Sequence, residues 1–248
     1  MALRVSRRTA AVAATVFVLV AASYLTLTAT VTTRRGVNSQ LSIQEFPAYV
    51  KAIDFLHRHF QYELLASEIV GSRATDRERL IAVFDWTRHN VPATPPGRSI
   101  VDDHILHIII RGHGVADQQA DVFATLATYA GVPAFWTAVP GQGRPHVLLS
   151  FARVDGRWRV FDVANGLIFR TRAGDLATFE DLARDPGLIP PSVGGLLIGT
   201  IPYSEIVTRA KMPAVPPTLR AELQMPWPRA SYELRRALGV DEDGDSQE

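Results

Sequence analysis

Apolar positions follow three regimes along this chain: an unbroken run, then stretches with a helical period, then stretches that alternate. From Thr9 to Val31 the segment TAAVAATVFVLVAASYLTLTATV carries no charge over 23 residues. About 20 residues of helix cross a bilayer core, so this run predicts one transmembrane helix. A cleaved signal has a shorter apolar region and a clear small-residue cleavage site; here the run is long and the site ambiguous, which predicts a retained anchor. Arg4, Arg7 and Arg8 precede the run, and Arg34 and Arg35 follow it. With the terminal amine added, that distribution places residues 1–8 in the cytoplasm and the rest in the periplasm or outside the cell.

Residues 32–42 (TTRRGVNSQLS) are polar and predict a linker to a domain over 43–240. The domain opens with helical spacing: Phe46, Val50, Ile53, Leu56 and Phe60 fall on one face. Thr75 and Glu78 make a capping-box pattern, followed by Leu80, Ile81, Phe84 and Trp86 as a buried stripe. PATPPG (92–97) is a stiff loop. A third helical pattern carries Ala116, Ala120, Phe123, Leu126, Ala127 and Ala130, and Gly131 and Pro133 stop it.

Beyond Pro133 the period changes to two. PAFWTAV, HVLLSFARV, RWRVFDV and LIFR read as strands, separated by GQGRP, Asp155-Gly156 and Asn165-Gly166. Asp-Gly and Asn-Gly between alternating runs are strong hairpin signals. The predicted class is α+β: N-terminal helices and a central helix packed on an antiparallel sheet, preceded by one transmembrane helix. TFEDLARD, YSEIVTRA and RASYELRRALG predict further helices, and KMPAVPP and MPWPRA extended loops. The tail 241–248, DEDGDSQE, has five acidic residues in eight and predicts disorder.

Composition narrows the chemistry. Net charge is +1, and almost every basic residue is arginine, Lys51 and Lys211 being the lysines. No basic run is interleaved with aromatics, so nucleic acid is not an expected partner. The chain has no cysteine, which removes disulfides, thiolate metal sites and a thiol nucleophile. His104, His107 and His113 beside Asp102 and Asp103 suggest metal ligands, but no general-base glutamate lies between the histidines and the stretch is strongly apolar. Neither a metal nor a cofactor is expected.

The stretch GHGVADQQADVF (112–123), then AGVPA (130–134), a strand opening at His146, and GRWRVFDVANG (156–166) carrying Asp162 together resemble the transglutaminase-like superfamily, with a core over 75–170. That resemblance implies a papain-type Cys-His-Asp site. The cysteine position falls on Ala116, the histidine on His146 and the carboxylate on Asp162. In such a site the helix front lowers the thiol pKa, the imidazole moves the proton, and the carboxylate orients the imidazole.

Ala116 has no lone pair, and no serine or threonine lies within one residue of it. The expectation is therefore a vacant nucleophile position beside a relict His146–Asp162 dyad. A membrane-anchored protein of the cell envelope would then bind a peptide, glycan or envelope protein through the former cleft. Asp103, His104, His113, Asp117, Gln118 and Trp136 are candidates to line it. The alternatives are a Cys-to-Ala form of a thiol peptidase or amide transferase, a non-thiol amide hydrolase using Asp117 and His146, or a structural subunit with a closed groove.

Overall fold

The computed structural model describes residues 7–37, 40–101, 104–140 and 146–240. The acidic tail, residues 1–6, 38–39 and 141–145, and Asp102 and Asp103 lie outside the described residues. The chain divides into two compact units, Met1–His57 and Arg58–Glu248.

In the first unit the apolar run forms helix α1 (Arg7–Thr28). The helix stops before Val31, three residues short of the expected end, because a strand begins at Thr30. Val12, Phe17, Leu19 and Leu25 are exposed along it. Among the described residues no helix is long and apolar enough to cross a membrane. The stretch expected as a linker pairs as an antiparallel hairpin, β1 (Thr30–Val37) with β2 (Gln40–Pro47), in register from Thr30↔Pro47 to Val37↔Gln40. Pro47 explains why Phe46 is not helical: a residue before proline is pushed out of the α region. Helix α2 (Ala48–Val70) starts directly after it. Val50, Ile53 and Leu56 of the predicted stripe are exposed here, and so is Phe60 in the second unit.

In the second unit the continuation of α2 buries Arg58, Tyr62 and Ala66 instead. Helix α3 (Asp76–Asn90) has the predicted capping box. Glu78 N donates to Thr75 Oγ1 and Thr75 N to Glu78 Oε2, each at 3.2 Å. These bonds hold the Glu78 carboxyl below its ordinary pKa. Leu80 and Phe84 are buried as expected, joined by Val83 and Thr87, whereas Ile81 and Trp86 are only half-buried. Helix α4 (Ile105–Arg111) ends on left-handed Gly112. Helix α5 (Ala116–Tyr129) is buried on almost every side from Gln118 to Thr128.

The sheet is a meander of four antiparallel strands: β3 (Ala134–Pro140), β4 (His146–Val154), β5 (Arg157–Asp162) and β6 (Leu167–Ile168). Asp155 and Gly156 both have positive φ, 51° and 73°, the geometry a two-residue hairpin needs. Side chains alternate between two cores. Ala134, Ala152, Val154 and Phe161 face α5, where Phe161 meets Phe123 with ring centroids 5.3 Å apart. Phe135, Leu149, Phe151 and Val160 face the other way.

The second face is covered by α6 (Phe179–Arg184), α7 (Pro191–Gly194), a short hairpin of β7 (Leu197–Ile198) and β8 (Ile201–Pro202), and α8 (Tyr203–Arg209). Helix α9 (Pro226–Ala237) closes the described chain. MPWPRA was expected to be extended, but Pro226 and Pro228 sit in the first turn of α9, where a missing N–H costs nothing.

Candidate functional site

The front of α5 is set by close backbone packing. Gly114 N donates to Pro92 O and Thr94 N to Gly114 O, each at 3.0 Å, so the proline loop pairs with the turn before the helix. A Cβ on Gly114 would stand 3.0 Å from Gln118 Cβ and 3.3 Å from Ile108 Cγ2, a tight fit that favours glycine. Ala116 is the first helical residue and is partly exposed. It offers a backbone N–H and a methyl group.

The polar residues after it mostly face inward. Gln118, expected in the cleft, is buried and acts as a brace. Its Nε2 donates to Val101 O (2.7 Å), and its Oε1 accepts from Val115 N and Arg111 Nη2, each at 3.2 Å. Gln119 Nε2 donates to Val91 O at 2.8 Å. Asp117 is exposed, and its Oδ1 accepts from Gln118 N at 2.8 Å, a capping role in the first turn. His113 is buried with Nδ1 3.3 Å from Thr94 Oγ1. Burial, then the charges of Arg111 and Arg98, hold its pKa below the ordinary histidine value.

His104 precedes α4 and is exposed, its ring edge-on to His107 with centroids 6.1 Å apart. Among the described residues no group of three metal-ligating side chains gathers. Asp103, the remaining cleft candidate on this segment, lies outside the described residues. Trp136 is half-buried against α5 and its Nε1 donates to Asp121 Oδ1 at 2.5 Å, while Arg220 Nη2 pairs with Asp121 Oδ2 at 3.1 Å.

Helix α5 turns back into β3: Ala134 N donates to Thr128 Oγ1 at 3.3 Å and Trp136 Nε1 to Asp121 Oδ1. Its front therefore lies toward the end of the sheet where β3 finishes, β4 starts with His146 and β5 finishes with Asp162. The pairing of β4 with β5 runs Val154↔Arg157, Ala152↔Arg159, Ser150↔Phe161. His146, opposite Pro140 on β3, is exposed. Asp162 closes β5 against the core that holds Val160 and Tyr203.

There Asp162 is 1% exposed. Its carboxylate accepts from Tyr203 Oη (2.7 Å), Asn165 N (2.9 Å) and Asn165 Nδ2 (2.8 Å). The Tyr203 phenol is pushed far above its ordinary pKa by burial and then by the adjacent carboxylate. Asp162, Tyr203 and Asn165 thus form one hydrogen-bonded cluster. Tyr203 lies 41 residues from Asp162, and no local pattern announced it.

Comparison with known proteins agrees on the segment that holds this site. Residues 63–163 match the model of the transglutaminase-like superfamily core. Three solved structures are similar over about half of the chain. One, from Cytophaga hutchinsonii, is provisionally described as a cysteine protease, with 19% identity, 51% of this chain and 45% of that one covered, and a TM-score of 0.39. Another, from Parabacteroides distasonis, is provisionally described as a protease, with 12% identity, coverage of 54% and 37%, and a TM-score of 0.35. The third is described as a TGase, with 13% identity, coverage of 60% and 48%, and a TM-score of 0.35. The chain spans less than half the length of each. No curated protein matches it.

Proposed function

We propose that this protein is a membrane-anchored, exported domain of transglutaminase-like fold that binds a peptide, glycan or envelope protein and does not cut it. What supports the reading is the front of α5: its first residue is Ala116, the position that the resemblance gives to the nucleophile, and the sequence holds no cysteine. Losing the nucleophile of such a unit costs roughly 10⁴ to 10⁶ in rate. The exposed His146 and the backbone N–H at Ala116 remain as polar contacts at that end of the sheet. The anchor rests on the uncharged run Thr9–Val31 and on the apolar side chains exposed along α1.

A photo-crosslinker at position 116 of the full chain in its native membrane tests the binding role. The expected result is a discrete adduct whose yield falls in His146→Ala while the melting temperature holds. No adduct, or equal yield in both, overturns it. Amide hydrolysis by the purified wild-type protein, lost in Asp117→Asn, would establish the hydrolase alternative instead.

A further inference from the structure

Helix α9 buries none of its residues. It follows the 3₁₀ turn Glu222–Gln224, which is held to the domain by Tyr129 Oη donating to Gln224 O at 2.7 Å. Because the phenol proton is used there, His59 Nδ1, 2.8 Å from Tyr129 Oη, is the donor in that second bond. The root of α9 is thus tied down while its surface is open.

That surface is sorted by chemistry. At 100° per residue, Trp227, Leu234 and Leu238 fall on one line, with Ala230 beside it. They are 83%, 61% and 69% exposed. Arg229 and Arg236 lie on the opposite side, Arg235 at the border, and Arg229 pairs with Glu233 at 2.5 Å. Three arginines face one glutamate on this helix.

We infer that α9 lies in the interfacial zone of a phospholipid bilayer, its Trp227–Leu234–Leu238 edge among the acyl chains and its arginines at the headgroup phosphates. A tryptophan at the edge of an apolar stripe, with long cationic side chains that reach back to the polar zone, suits the boundary between lipid and water. Area argues against a second copy as the occupant. Three large side chains offer on the order of 400 Å², about half of the ~800 Å² that each partner brings to a stable interface. The carboxylates that follow in sequence from Asp241 oppose attraction to anionic lipid, so the apolar edge supplies most of the hold. The phosphodiester that meets the arginines is common to neutral and anionic headgroups. The inference stands on α9 alone and does not require the anchor.

The absence of cysteine makes single labelling clean. Spin-labelled Leu234→Cys, Arg236→Cys and, for the anchor, Val18→Cys forms of the full chain are reconstituted in vesicles of phosphatidylcholine, and of phosphatidylcholine with phosphatidylglycerol. The readout is nitroxide relaxation by oxygen against an aqueous nickel chelate. The expected result is an oxygen-favoured label at Leu234 and a nickel-favoured label at Arg236 in both lipids. Nickel-favoured relaxation at both positions overturns the inference, and so does spin–spin broadening at Leu234, which would mean a second copy covers the edge. The label at Val18 reports the anchor separately, so either reading can fail without the other.

Discussion

Two polar residues at one end of the sheet sit in opposite settings. His146 opens β4 and is exposed. Asp162 closes β5, is buried, and accepts three hydrogen bonds from Tyr203 and Asn165. The carboxylate is built into the packed core, so its loss should be felt first in stability, whereas the imidazole stands at the surface, where its loss should cost the fold little.

The largest test of that contrast removes the buried carboxylate. Asp162→Ala leaves the Tyr203 hydroxyl and two Asn165 donors without their acceptor, and should cost about 3 kcal/mol or more in thermal or denaturant unfolding. Tyr203→Phe removes one donor to a charged acceptor and should cost roughly 2 kcal/mol. In a double-mutant cycle the two changes should couple by about 1 kcal/mol. His146→Ala by itself should move stability by no more than about 0.5 kcal/mol, as an exposed strand end does.

The smallest expected effect is a pH dependence. The folded pKa of His113 lies below its unfolded value, so the unfolded chain binds more protons as the solution is acidified. Its contribution to stability is complete above the ordinary histidine pKa and declines as pH falls below it. Melting curves between neutral and mildly acidic pH should show a decline that flattens in His113→Gln.

Much of this arrangement was legible in the sequence, and the misses have physical causes. The α5 period, the Thr75–Glu78 box and the Asp155-Gly156 turn are local signals, and each appears where its residues predict it. The β1–β2 hairpin was hidden because its residues are as polar as a linker and its pairing is not announced by an Asn-Gly or Asp-Gly turn. Gln118 looked like a cleft residue because amides suit ligands, yet an amide equally suits buried carbonyls such as Val101 O. Tyr203 depended on a tertiary contact.

The most direct test supplies the missing sulfur. In Ala116→Cys, with no other thiol in the chain, acyl-adduct formation from an activated nitrophenyl ester is followed by intact mass, with and without His146→Ala. If Ala116 marks the vacant nucleophile position, the wild-type chain forms no adduct there, while Ala116→Cys forms one at a rate that falls on removing His146. Equal adduct formation by the wild type and by Ala116→Cys would contradict the account.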